Sequence, residues 1–318
     1  MDRCVAYKYQ DISLVPEYSK IISRSDAKTG IKLGNHNFKL PIIPSNMKSV
    51  INEKIAEWMS ENGYMYVMHR FGIDNYKFVL NANKYDWSII SISCGVQSND
   101  YDLVDKISTK KLSVDYITID IAHGHSASMK NIIRYIKEKL PETYVIAGNV
   151  ATKQAVKDLS SWGADCIKVG IGQGNVCTTK DKTGFTYPMF TCTQECSVEG
   201  IPIIADGGIK CNGDIAKALV AGGHMAMAGS LFSACLDSPG DTVTLAGGKT
   251  GKKYFGSASE QNKGNKRHIE GVEKTLESNY MTYAEKLQEI KEDLQSSISY
   301  SGGTTLNAIR KANYIINY

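Results

Sequence analysis

The chain of 318 residues contains no apolar run approaching the roughly 18 residues that a membrane span requires. Its opening, M-D-R-C-V-A-Y-K-Y-Q-D, lacks the apolar core of a signal peptide, so a cytoplasmic protein without membrane contact is expected. Blocks of like charge are absent too. The 37 basic and 33 acidic residues leave a net charge of +4 spread along the chain, so nucleic acid is not an expected partner. Cysteine and histidine do not fall into metal-ligand spacing. Cys192 and Cys196 could share a helix face, but no second pair completes a zinc set, and His69, His123, His125, His224 and His268 are scattered. The eight cysteines (Cys4, Cys94, Cys166, Cys177, Cys192, Cys196, Cys211 and Cys235) are dispersed and are expected to be free thiols. No G-x-G-x-x-G follows the first candidate strand, which argues against a doubly wound dinucleotide fold. What remains is a globular chain, 42% hydrophobic and 22% charged, able to bury a full core.

Short apolar segments bounded by turn residues recur eight times, at 41–47, 64–70, 89–93, 116–122, 144–150, 166–172, 201–208 and 224–230. Helical periodicity fills most of the intervals, as in I-N-E-K-I-A-E-W-M-S-E-N-G at 51–63, whose Asn-Gly suits a helix end. Successive starts lie 22 to 28 residues apart, room for a strand, a helix and two loops, except for one interval of 35. The pattern predicts an α/β protein, a TIM (β/α)8 barrel occupying 1–318 as a single domain. The long interval follows the sixth strand. A stretch rich in Gly, Lys, Ser and Asn, approximately 231–275, follows the eighth. Both fall on the face where a barrel keeps its active site, so they are expected to form a catalytic loop and a flap.

Glycines gather at the ends of the last three strands: Gly170, Gly172 and Gly174, then Gly207 and Gly208 after Asp206, then Gly229 before Ser230. Backbone N–H groups exposed there can hold a phosphate; tight turns alone are the alternative. Asp206 and Asp120 end strands on the same side, as partners for ribose hydroxyls or a nicotinamide, or else as loop-bracing carboxylates. Cys177, within K-V-G-I-G-Q-G-N-V-C-T-T-K at 168–180, lies among glycine-loop donors and beside Lys180. Such surroundings suit a nucleophile, with an inert buried thiol as the alternative. His123-Gly124-His125 is expected to order a loop.

The motif V-G-I-G-x-G-x-V-C-T-T-K, with K-T-G at 182–184, A-D-G-G-I, G-D-I-A-K at 213–217, G-S-L-F and S-P-G, resembles the IMP dehydrogenase and GMP reductase superfamily over nearly the whole chain. Y-x-D-I-S-L-V-P at 9–16, P-S-N-M at 44–47, H-R-F, I-D-I-A-H-G-H and I-A-G-N-V agree. Three features resemble the reductase branch. Only 18 residues separate Arg70 from Ile89, too few for the regulatory domain that dehydrogenases usually insert there. The flap has no counterpart of the Arg-Tyr pair with which dehydrogenases activate water; Arg134-Tyr135 falls in a predicted helix. F-G-S-A-S-E at 255–260, Glu270-Gly271 and D-L-Q-S-S-I-S-Y-S-G-G at 293–303 are similar to the shorter bacterial reductases.

The resemblance implies NADPH-dependent reductive deamination of GMP to IMP and ammonia through a covalent Cys177 thioimidate, in purine interconversion and salvage. It implies Thr179 and Glu270 as the proton relay. The GMP phosphate would lie against Asn175, Gly208, Gly229 and Ser230, with Asp206 on the ribose and Ser257 and Arg267 near the base or phosphate. NADPH would lie near Asp120, Ser93, Cys94, Gly95 and Asn149. A homotetramer is implied, as is a monovalent cation such as K+ on the carbonyls of Gly170, Gly172 and Cys177, where ordinary turn carbonyls are the alternative. Two departures stand out: Gln173 replaces the family's usual Pro, which loosens the loop, and the segment before the seventh strand is short, so its helix should be truncated. The rivals are an IMP dehydrogenase making XMP and NADH from IMP, NAD and water, a flavin-dependent enzyme on a similar barrel, and a non-catalytic nucleotide sensor.

Overall fold

Residues 5–264 and 266–317 are described by the computed structural model. Seven strands form one parallel sheet: β1 (Ile42–Pro44), β2 (Ser91–Cys94), β3 (Tyr116–Asp120), β4 (Tyr144–Val150), β5 (Cys166–Val169), β6 (Ile203–Asp206) and β7 (Met225–Ala228). Their order is β1-β7-β6-β5-β4-β3-β2. β2, β5 and β7 are buried at every position, which is how a parallel strand reads when both of its faces are covered. The covering helices begin on side-chain caps. Asn52, Asp74, Ser126 and Thr152 each accept a hydrogen bond from a first-turn amide. The helix at Ala127–Lys139 buries Met129, Ile132, Ile133 and Ile136, the spacing of a single apolar stripe.

The expected strand at 64–70 appears only as a single parallel bridge between Met68 and Ile92. Met68 exchanges bonds with the Ser91 carbonyl and the Ser93 amide at 3.0 and 2.9 Å. Further along, hydroxyls replace the ladder: Ser60 Oγ and Tyr66 OH both donate to the Ile89 carbonyl, and Ser60 Oγ accepts from the Ile89 amide. Side chains therefore satisfy backbone groups that a longer strand would have paired. Two antiparallel pairs lie outside the sequence expectation, 31–33 with 36–38 and 12–14 with 314–316. Each strand is three residues long, too short to show a period.

After β7, a flap sheet forms from β8 (Thr242–Thr244), β9 (Thr250–Phe255) and β10 (Glu273–Glu277), all antiparallel. The helix between the Cys177 loop and β6 spans Met189–Cys196 and is short, as the linker length requires. The seven described cysteines are free thiols; Cys4 lies outside the described residues. Among the described residues, no helix is long and apolar enough to cross a membrane.

Candidate active site

A cleft of about 390 Å³ opens at the carboxyl ends of β1 and of β3 to β7. This is an ordinary size for a small-molecule site. At its floor lies a charge cluster. The register sets Gly148 of β4 beside both Asp120 of β3 and Lys168 of β5. A Cβ at Gly148 would come within 2.4 Å of the Lys168 carbonyl, so only glycine leaves room there. Across that gap, Lys168 Nζ reaches Asp120 Oδ1 and Asp206 Oδ2, both at 2.6 Å, and also donates to Asn149 Oδ1. Asn149 Nδ2 in turn donates to Asp206 Oδ2 at 2.9 Å and to the Gly170 carbonyl at 2.7 Å. Asn46 Nδ2 donates to Asp120 Oδ2 at 3.1 Å.

Burial alone would push the Lys168 pKa down, but the two carboxylates overcome it and hold it above the ordinary lysine value. Burial would likewise raise Asp120; the Lys168 charge, with hydrogen bonds from Lys168 and Asn46 and the charge of Arg70, holds it below the ordinary value instead. The floor is thus an ammonium between two acids, a net negative surface suited to hydroxyl donors.

On the wall above, Cys177 Sγ donates to Thr179 Oγ1 at 3.2 Å, and Thr179 Oγ1 donates to Glu270 Oε2 at 2.6 Å. A thiol, a hydroxyl and a carboxylate form one continuous path for a proton. Lys180, expected beside the thiol, is exposed and outside the cleft.

Other expected residues divide. Asn175, Asp206, Gly208, Gly229, Ser230 and Ser257 line the cleft, as do Asp120, Asn149, Gly170 and Gly172. The Gly208 amide is already engaged by the Gln173 carbonyl at 3.1 Å, and the Asn175 side-chain oxygen accepts from Lys274 at 3.0 Å. Arg267 is exposed and does not line the cleft. Ser93, Cys94 and Gly95 also lie outside it. Ser93 Oγ donates to the Met68 carbonyl, burial pushes the Cys94 thiol far up, and the Gly95 amide is held by Asp100. Gln173 donates to Thr186 Oγ1 at 2.6 Å, a tether in place of proline's stiffness. His125 pairs with Asp158 at 2.8 Å, and the Gly124 amide donates to the Asn149 carbonyl, so this segment braces a loop.

Sequence reasoning missed Lys168, Asn46, Arg70 and Tyr254. Lys168 had a signal: a lysine inside the otherwise apolar C-I-K-V strand needs a buried partner. Tyr254 comes from the flap, and its hydroxyl lies over Gly229, where a Cβ would approach it to 2.2 Å. Burial raises its pKa well above the ordinary tyrosine value.

A strand-end cleft with a glycine-lined loop, a relayed thiol and a flap carboxylate defines a nucleotide-type enzyme site on a parallel α/β scaffold. The chain belongs to the family described as IMP dehydrogenase / GMP reductase domain, which it matches over residues 6–318. It is 49% identical over 313 residues to the GMP reductase of Acidovorax sp. (strain JS42), covering 98% of this chain and 95% of that one. It is 48% identical over 315 residues to the GMP reductase of Mesoplasma florum, covering 98% of each.

Proposed function

We propose that this chain is a GMP reductase that converts GMP and NADPH to IMP, ammonia and NADP. The observation that carries this reading is the Cys177–Thr179–Glu270 hydrogen-bonded path within a full-length match to GMP reductases. Cys177 Sγ attacks C2 of the purine as its proton moves through the Thr179 hydroxyl to Glu270. The same path returns that proton to the departing amino group, so ammonia leaves and a thioimidate remains on Cys177. NADPH supplies the hydride that reduces C2. The C–S bond then breaks, and the Cys177 thiolate recovers a proton from solvent. The flap carries no Arg-Tyr pair to activate water, so the adduct is reserved for hydride.

Asp206 serves the ribose, while Asn175, Gly208, Gly229 and Ser230 surround the phosphate and Ser257 lies near the base or phosphate. Arg267 is assigned to the base or phosphate by resemblance. On the other side, Asp120 and Asn149 face the hydride donor. The fit is supported by Arg70, whose Nε is buried without a partner among the described residues and whose Nη2 donates to the Asp120 carbonyl. Ser93, Cys94 and Gly95 would act beneath that site. The parallel sheet, with the Met68 segment beside β2, supports a closed eight-stranded barrel as one domain with the 231–275 flap. K+ would use the carbonyls of Gly170, Gly172 and Cys177, with Gly170 sharing its oxygen with Asn149. A homotetramer rests on resemblance alone.

The test is NADPH absorbance on mixing with GMP, beside IMP with NAD. Oxidation that requires GMP, releases ammonia and vanishes in Cys177→Ala supports the reading. NADH formation from IMP, with silence towards GMP, overturns it.

A further inference from the structure

Beyond carrying Glu270, the flap pairs with the catalytic loop through a short antiparallel bridge. The Val272 amide donates to the Val176 carbonyl at 3.0 Å, and the Thr178 amide donates to the Glu270 carbonyl at 2.8 Å. Cys177 lies opposite Gly271 in an antiparallel bridge. On its other side, the Val272 carbonyl accepts from the Gly256 amide at 3.3 Å, so the 270–272 segment is sandwiched between two backbones. Glycine permits the approach: a Cβ at Gly256 would lie 3.2 Å from Gly271 Cα and 3.3 Å from the Val176 carbonyl oxygen.

Pairing over three residues is marginal by itself. Its register nevertheless matters, because a slip of one residue turns every side chain to the opposite face and would carry Glu270 away from Thr179. Besides the Thr179–Glu270 bond, a second side chain ties the flap to the loop. Lys274 Nζ donates both to the Asn175 carbonyl at 2.7 Å and to Asn175 Oδ1 at 3.0 Å, gripping the residue that precedes the paired segment. Lys274 is exposed and sits in β10 directly across from Tyr254, which itself lines the cleft.

We infer that Lys274 is a positioning residue that clamps the flap in register on the catalytic loop, so that nucleophile and proton relay assemble in a single closing event. The inference rests on the reductase reading and its relay. Loop and flap should order together, and water should be excluded from Cys177 in the same motion.

The test compares the full-length chain with Lys274→Ala, Lys274→Arg, Asn175→Ala and Glu270→Gln, measuring kcat and KM for GMP and amide exchange at Thr178 and Val272. Losing a charge-assisted grip on Asn175 should lower kcat about tenfold in Lys274→Ala, with KM for GMP little changed. The two amides should exchange faster together, and Lys274→Arg should recover most of the loss. Combining Lys274→Ala with Asn175→Ala should cost less than the product of the two separate losses. Unchanged kcat in Lys274→Ala while Glu270→Gln is inactive would overturn the clamp alone, as would faster exchange at one amide without the other. Full activity in Glu270→Gln would overturn the relay and the clamp with it.

Discussion

Replacing Lys168 with methionine tests the cleft floor most directly. The ammonium lies between Asp120 and Asp206 at 2.6 Å from each, and side-chain exposure is 3% for the lysine and 17% and 18% for the acids. So little solvent contact leaves the pair weakly screened, and removing one partner from a buried ionic group costs about 3–5 kcal/mol. The pH dependence should change shape as well. In the wild type, the raised Lys168 pKa contributes stability fully present below the ordinary lysine value of about 10.4 and lost as pH rises through the higher native value. The lowered Asp120 pKa contributes stability present above its ordinary value of about 3.9 and lost as pH falls through the lower native value. Between those limits neither Lys168 nor Asp120 adds a slope.

In Lys168→Met, the two acids lose the ammonium between them and Arg70 is left as the charge beside Asp120. One of them should then bind its proton more tightly in the native state than in the unfolded state, so the variant should gain stability as pH falls from neutral. Urea unfolding followed by fluorescence and circular dichroism, at mildly acidic and mildly alkaline pH, measures this where the two transitions coincide. A loss under about 1 kcal/mol, or one equal at both pH values, would refute the reasoning. Lys168→Arg should retain most of the stability, because it keeps the charge.

Thr179→Val preserves shape but breaks the proton path from Cys177 to Glu270, so kcat should fall about 100-fold or more while GMP binding by calorimetry stays near wild type; unchanged kcat would exclude the relay. Gly229→Ala would press a methyl group to 2.2 Å from the Tyr254 hydroxyl, and a loss of about 1–3 kcal/mol in thermal unfolding is expected. Tyr254→Phe removes that hydroxyl, so the double variant should recover part of the loss; strict additivity would show that the clash is relieved elsewhere. Exchanging K+ for tetramethylammonium should lower turnover if the Gly170, Gly172 and Cys177 carbonyls hold a cation, and equal rates would remove that assignment.

Much of the fold was legible because its signals are local. Helix 53–61 announces itself by apolar spacing and by the Asn62-Gly63 that ends it, and β6 by I-P-I-I-A-D with glycines behind it. Cys177 was legible for the same reason, a thiol on a glycine-rich loop, whereas Thr179 and Glu270 were implied only by the resemblance. The 64–70 segment keeps only its Met68 bridge to β2, because the Ser60 and Tyr66 hydroxyls take up polar groups that a longer strand would have paired. Ser93, Cys94 and Gly95 sit at a strand end, as expected, but a strand end says nothing of which way its last side chains turn.

The sequence by itself determined the alternation of strand and helix, the placing of glycines where backbones must come close, and the thiol on its glycine-rich loop. All of these follow from short-range sterics and periodicity. Only the tertiary structure decided the electrostatics and the closure. Thr179 meets Glu270 across 91 residues, and Lys168 finds Asp206 across 38. Parallel pairing and the flap hairpin set those meetings, because a buried charge is satisfied by whatever the neighbouring strands bring to its side, and strand register is a property of the assembled sheet.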